Sequence, residues 1–463
     1  MRARRLALVV FGAVGIALSA GAAAPKYVFL FIGDGMSTPQ RMVAEEFAAA
    51  AGHGAFAMNR LPYQANTRTR STDAVITDSA AAGTAIACGV KTANQMIGVG
   101  PDGSRVESVA EVAKRRGMKV GVVTTVTIVH ATPACFFAHN RNRGAVYQLA
   151  LDLVASGFDY FAGGGVYDKY DDRGDPKYRG EITDLARKAG YTVTRDDRAA
   201  WAALKPGAKA WSIFGDRGMS FAIDADGSEP TLAELVAKGV EVLDGPDGFF
   251  IMCEGGKIDY ACHANDAATN LRDVLALDDA VKVALKFGER HPAETLVVAT
   301  GDHETGGLSM GFAGIGGKFR VEKLAGQKVS VEKFSEQIKG LIRAHDGKLA
   351  FAEVRPLVKD LFGLDNLTSA ETKALEKALA QDVKYIRAKL KDTTAHDVKR
   401  RYVVAQAVKN VLNARAGVGW SSSSHTALPT LTTAWGCGAD ILVGMAENSD
   451  LGARLKALLD TDR

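Results

Sequence analysis

Three short apolar runs that stop at glycine and an acidic residue constrain this chain more than any other feature. VFLFI leads into Gly33-Asp34-Gly35-Met36, FFIMC into Glu254, and LVVAT into Gly301-Asp302-His303. A fourth run, VGVVTTV at 120–126, leads to His130 and Thr132. Segments this short and apolar, separated by stretches of helical periodicity, read as strands covered on both faces. The expected architecture is α/β, a mostly parallel central sheet with helices on both faces. Such sheets gather ligands at the carboxyl ends of their strands, where Asp34, His130, Thr132, Glu254 and Asp302 all fall.

The N-terminus carries Arg2, Arg4 and Arg5, an apolar stretch over 6–20 and small residues through Ala24. That pattern is a secretory signal peptide over 1–22, with Ala20-Gly21-Ala22 and Ala22-Ala23-Ala24 both meeting the small-x-small cleavage rule; a retained anchor is the alternative. Arg4-Arg5 leaves the general secretory and twin-arginine routes both open. Losing the three arginines takes the formal charge from +4 to +1, so nothing calls for a nucleic-acid partner. No later segment is apolar for long enough to span a bilayer. The expectation is an exported protein, periplasmic or secreted, with one catalytic domain over 23–463.

Five cysteines, Cys88, Cys135, Cys253, Cys262 and Cys437, lie mostly in or beside apolar stretches. They are read as unpaired core thiols rather than a disulfide framework. Two segments look added to the sheet. The stretch 163–180, rich in Gly, Tyr and Asp, reads as a surface loop over or beside the site. The stretch 311–424 opens with GFAGIGG and continues in amphipathic patterns such as VEKFSEQIKGLIRAH and TKALEKALAQDVKYIRAKL. It is expected to be a largely helical insertion ahead of His425, packed on the sheet edge, with a dimer contact or a substrate-gating cap as alternatives.

Thr77-Asp78-Ser79-Ala80 precedes an alanine-rich run, so Asp78 is a candidate N-cap and Ser79 lies in the first turn. Backbone N–H groups and the helix dipole at such an end favour an anion such as phosphate. In Glu254-Gly-Gly-Lys-Ile-Asp259-Tyr-Ala-Cys-His263, Asp259 and His263 stand four apart and share one face if helical. A zinc ion held by those two and by His425 would keep an open position for water. Asp302-His303 suits a second ion, and a nearby acid with the Thr132 hydroxyl suits the harder magnesium. Any one of these residues alone is more often a cap or a hydrogen-bonded core group; their joint placement at strand exits is what points to a site.

The motifs VFLFIGDGM, TDSAAAGTA with GVKT, HATPACFFAHNRNR, CEGGKIDYACH, VVATGDHETGG and SSHT, in this order over about 27–426, resemble the alkaline phosphatases. The resemblance implies a metal-dependent phosphomonoesterase acting on small phosphate monoesters, with two Zn2+ and one Mg2+. Ser79 would be the nucleophile, and Asp34, Asp302 and His303 would hold the zinc that stabilises its alkoxide. Asp259, His263 and His425 would hold the other zinc, which steadies the leaving oxygen and then supplies hydroxide to the phosphoserine. Asp34, Thr132 and Glu254 would bind magnesium. Arg143 would grip two phosphate oxygens, with Arg141 the competitor two residues away. Many members of the family are dimers, so a homodimer is among the expectations.

Two positions depart from the commoner family pattern. His130 stands where some members have Asp, and imidazole suits zinc better than magnesium, which opens the third site to another divalent metal. Tyr260 stands where Lys or His is more frequent near the phosphate. Sulfatases of the same superfamily use a C/S-x-P-x-R motif, absent after Ser79, and diesterases commonly use threonine in its place, so a diesterase or other ester hydrolase is the alternative. A non-catalytic metal or phosphate store is the reading from another class. A neutral phenol at 260 predicts weak retention of product: Tyr260→Lys should lower the inhibition constant for phosphate about tenfold, the effect of ~1.4 kcal/mol of added charge attraction. An unchanged constant would count against this role.

Overall fold

The computed structural model describes residues 24–166, 178–315, 317–390 and 402–461. The proposed leader over 1–22, much of the 163–180 stretch and part of the insertion lie outside them. The chain begins β1 (Tyr27–Gly33), α1 (Thr38–Ala51), β2 (Tyr63–Arg68), α2 (Ser79–Cys88), α3 (Val109–Arg115), β3 (Lys119–Thr127), α4 (Ala131–Ala134) and α5 (Val146–Ala155). It continues through β4 (Tyr160–Gly164), α6 (Ile182–Lys188), β5 (Thr192–Arg195), α7 (Arg198–Ala202), β6 (Ala210–Ile213), α8 (Leu232–Leu243), β7 (Phe249–Gly255), α9 (Lys257–His263) and α10 (Ala267–Gly288). Then come β8 (Thr295–Gly301), β9 (Glu304–Thr305), β10 (Leu308–Met310), α11 (Val331–Ala344), α12 (Phe351–Phe362), α13 (Ser369–Leu390) and α14 (Val403–Ala416). The last elements are β11 (Val418–Trp420), β12 (His425–Thr426), β13 (Thr430–Gly436), β14 (Gly444–Glu447) and α15 (Asn448–Asp460).

Ten strands form one sheet in the order β14-β2-β13-β8-β1-β7-β3-β4-β6-β5. Every pairing in it is parallel except those of β13, which runs against both β2 and β8. The architecture is α/β with a large, mostly parallel sheet, as the apolar runs require. All seven residues of β1 are buried. Tyr27, Phe29 and Phe31 face one core, which includes side chains of α1, α8 and α10. Val28, Leu30 and Ile32 face the other, with α2, α3, α5 and α15. A strand apolar on both sides is stable only between two helical layers, so the run VFLFI already demands them.

Register is what gathers the chemistry. Gly33 of β1 lies opposite Gly255 of β7 and Gly301 of β8, so the three central strands end at one level. Asp34 and Asp302 therefore emerge side by side, and Glu254, opposite Ile32 of β1, is paired with Thr124 of β3. The glycines admit the loops that follow. A Cβ on Gly301 would lie 1.8 Å from the Met36 carbonyl oxygen, and one on Gly35, whose φ is +72°, would lie 2.9 Å from Asp259 Cα.

The segment after β10 carries α11 to α14, including α12, which tolerates Pro356 inside it. A 3-10 turn at Val321–Gly326 ties these helices to α1 and α10. They thus thicken one helical layer instead of flanking an edge strand, because their buried residues join the same core as α1 and α10. All five cysteines are free, four of them buried. No helix among the described residues is long and apolar enough to cross a membrane.

Because backbone cannot yield as a flexible side chain can, Gly301→Ala should cost about 3 kcal/mol or more. The melting temperature read by circular dichroism should fall accordingly; a variant as stable as the parent would show that the β8 exit is not the tight point described.

Candidate active site

Asp78 caps α2, accepting from the Ala81 N–H at 3.0 Å, and presents Ser79 in the first turn. Ser79 is buried, with Oγ 3.2 Å from His303 Nε2. Small residues let this helix sink into the molecule: all ten are buried, and a Cβ on Gly83 would meet Cys135 Sγ at 3.0 Å. The hydroxyl therefore sits at the positive end of a buried dipole, facing the carboxyl ends of the sheet.

Around it, three groups each bring ligand atoms within 4.8 Å of one another. The first is Asp34, Asp302 and His303, where His303 Nε2 lies 3.4 Å from both Asp34 Oδ1 and Asp302 Oδ2. The second is Asp259, His263 and His425. Helix α9 sets His263 Nε2 3.3 Å from Asp259 Oδ2, and His425 Nε2 comes within 3.8 Å of Asp259 Oδ1. The third is Asp34, His130 and Glu254, with His130 Nδ1 3.6 Å from Asp34 Oδ2 and 4.0 Å from Glu254 Oε1. Thr132 Oγ1 adds a hydroxyl 3.4 Å from Asp34 Oδ2. Asp34 belongs to two groups, and the ring centroids of His303 and His425 are only 3.7 Å apart, so the three groups form one cluster.

The donor set fits divalent cations on two grounds. Asp34 Oδ1, Glu254 Oε1, Asp302 Oδ2 and His130 Nδ1 are buried with no hydrogen-bond partner, an arrangement that costs free energy unless a cation satisfies them. The imidazoles are also oriented for it. His263 Nδ1 is 2.7 Å from the Ser423 carbonyl and His425 Nδ1 is 2.9 Å from the Thr77 carbonyl. A carbonyl can only accept, so each proton sits on Nδ1 and each Nε2 lone pair faces the cluster.

Electrostatics point the same way. Burial, then the neighbouring acids, pushes the Asp34 carboxyl well above its ordinary range. Burial likewise raises Asp302, although the Gly35 N–H partly offsets it, and raises Glu254 to about 7 against hydrogen bonds from Thr124 and Thr132. Asp259 is the exception: burial opposes its ionisation, but the His263 hydrogen bond and the neighbouring imidazoles carry it below the usual value. Burial and the adjacent Arg143 hold His130 down to about 3, which keeps its ring neutral. A set of acids held protonated by one another is a set that a cation would ionise.

Arg143 Nη1 is 3.0 Å from Asp78 Oδ2, and its Nη2 is 3.3 Å from His130 Nε2, which places the guanidinium at the N-terminus of α2. Arg141 instead turns outward and donates to the Asp102 carbonyl. Tyr260, one turn before Ala264 on α9, stacks edge-on to His130 at 6.0 Å. A cavity here is lined by His130, Arg143, Arg217 and Tyr260 together with Val129 and Val146. Cys262 contacts Asn270 Nδ2 at 3.0 Å and belongs to none of the ligand groups.

Several residues at the site escaped the sequence reading. Thr124 donates to Glu254 Oε2. Thr305 donates to Asp259 Oδ1 at 2.7 Å and lies 3.3 Å from His303 Nδ1. Their signals were faint: Thr305 stands two residues after His303, and Thr124 is one threonine in a strand of several. Arg217 had none, since a lone arginine in a loop is ordinarily a surface cation.

Residues 25–461 match the alkaline phosphatase family. The chain is 31% identical over 457 residues to alkaline phosphatase 4 of Bacillus subtilis (strain 168), covering 95% of this chain and 89% of that one. It is 33% identical over 393 residues to alkaline phosphatase 3 of the same organism, covering 83% and 77% respectively. The crystal structure of a cold-active alkaline phosphatase from the psychrophile Shewanella sp. superposes with a TM-score of 0.79 at 26% identity, over 94% of this chain and all of that one.

Asp34 is the carboxylate common to two groups, so Asp34→Asn should release more than one equivalent of bound metal from purified protein, measured by plasma emission. Loss of a single equivalent or of none would show that Asp34 is not shared.

Proposed function

The chain belongs to the alkaline phosphatase family and is a phosphatase; from that premise we propose that it hydrolyses phosphate monoesters to an alcohol and inorganic phosphate through a phosphoserine at Ser79. The observation that carries the reading is the buried Ser79 hydroxyl in the first turn of α2, 3.2 Å from His303 Nε2 and beside the three ligand groups and Arg143. Asp34, Asp302 and His303 would hold one Zn2+, and Asp259, His263 and His425 the other. Asp34, Thr132 and Glu254 supply the oxygen donors of Mg2+, while the His130 imidazole admits a softer divalent ion in that third position. When bound, the ions lower the cost of negative charge on the attacking and departing oxygens.

The protein's own part is placement. Ser79 Oγ attacks phosphorus as the bond to the alcohol oxygen breaks, and the alcohol leaves with a proton. Water then attacks the phosphoserine, phosphate departs and the hydroxyl is restored. Arg143, held in place by Asp78, offers two parallel N–H donors to the equatorial oxygens, and the α2 dipole adds to them. Tyr260 contributes a rim but no charge. The substrate is a small molecule; export to the periplasm or medium, where it would release phosphate from organic esters, completes the proposal.

Ser79→Ala should lower turnover of p-nitrophenyl phosphate by roughly ten-thousandfold or more, as removal of a covalent nucleophile does. Chelation should do the same to the parent, with zinc and magnesium restoring it. Preference for the bis-ester or the sulfate ester would favour the diesterase or sulfatase alternative, and Ser79→Ala at parental rate would exclude the phosphoserine.

A further inference from the structure

We propose that Glu304 is a positioning residue for His425, fixing the geometry of the Asp259–His263–His425 ion site from beneath. Of the residues that build that site, His425 has the hardest task. It comes to the cluster from a segment more than a hundred positions away from Asp302, after the whole helical insertion, and on a strand of two residues. So short a strand cannot hold itself. Its register is Thr426 opposite Glu304 and His425 opposite Thr305.

Glu304 is completely buried, and no cation is paired with it in the structure's ion pairs among the described residues. Its two oxygens take four hydrogen bonds instead. Oε1 accepts from Gln40 Nε2 at 2.6 Å and from the Leu308 N–H at 3.3 Å. Oε2 accepts from the Gly307 N–H at 3.0 Å and from the Thr426 hydroxyl. These donors come from three places: α1, the turn after β9, and β12. Gln40 is itself locked, because its Oε1 accepts from the Ser37 N–H at 3.0 Å and its Nε2 also reaches the Thr305 carbonyl at 3.1 Å. The carboxylate thus joins the segment that follows Asp34 to the segment that carries His425, with the Asp302-His303 exit between them.

A buried group that accepts from donors on every side cannot be replaced by an amide without cost. Whichever oxygen becomes NH2 turns a donor toward two donors, and β12 or the 307–308 turn must move. The consequence falls on His425 first, since Thr426 is its neighbour. Groups of this kind, which touch no ion but orient a ligand, change metal affinity by about 10- to 100-fold when removed.

The inference rests on the reading that His425 is a ligand, and the test separates the two. Zinc affinity is measured by chelator competition on the full-length parent, E304Q, T426A, H425A and the double variants with H425A, with melting temperatures of the chelated proteins alongside. E304Q should weaken one class of zinc by about 10- to 100-fold and leave the other unchanged, and T426A should weaken the same class by less. In the H425A background neither change should have further effect. Equal weakening of both classes, or the same loss with and without His425, would reduce Glu304 to a general structural residue and overturn the inference. If H425A itself retains every ion at parental affinity, the ligand reading fails and the inference falls with it. Should E304Q not fold, T426A decides alone, because its chelated form is expected to melt with the parent.

Discussion

The concentration of buried acid at the end of three neighbouring strands is the constraint on which the rest of the structure depends. Gly33, Gly255 and Gly301 end at one level, so Asp34 and Asp302 leave the sheet together next to Glu254, the penultimate residue of β7, with Asp259 in the first turn of α9. All four are buried. Burial raises the proton affinity of Asp34 and Asp302, and the neighbouring carboxylates add to the effect. No arrangement of protein cations in the described residues answers them: Arg143 is committed to Asp78, and the histidines present lone pairs. Divalent ions are the natural counter-charge, and the fold is organised to receive them.

Much of the surrounding architecture reads as support for that cluster. The sheet is apolar on both faces where β1, β7 and β8 pass through it, and the two helical layers that this requires make the strand exits rigid. Glycine at the exits admits sharp turns without side chains in the way. Helix α2, built of alanine, glycine and small polar residues, packs deeply enough to bring Ser79 to the ligands. Backbone carbonyls of Thr77 and Ser423 and the hydroxyl of Thr305 fix the tautomers and the rotations of three imidazoles. Positioning therefore falls mostly to backbone groups, which do not depend on the rotamer of another side chain.

The elements that could be read from the chain were those with one local cause. The runs in β1, β3, β7 and β8 announce themselves through length and apolarity, and the cap at Asp78 and the i,i+4 pair of Asp259 and His263 follow from helical spacing. Strand β2, YQANTR, and strand β13, TLTTAWG, carry polar residues throughout and gave no such signal. They form because each finds a partner far away in sequence: β13 inserts, reversed, between β2 and β8. The insertion was legible as helix from its periodicity, but its placement against α1 and α10 was not, since an amphipathic face does not name the surface that will cover it.

At the site the division is similar. Which residue types could supply ligands and which class of cation suits them were legible in the sequence alone, because donor chemistry belongs to the side chain and survives any folding of the backbone. Tertiary structure decided the rest. It sent Arg141 to the Asp102 carbonyl and Arg143 to Asp78, and brought Thr124, Thr305, Glu304 and Arg217 to the cluster and its rim. Those outcomes depend on distances of a few ångströms between segments tens to hundreds of residues apart. Such distances are set by strand register and helix packing, which only the whole folded chain contains.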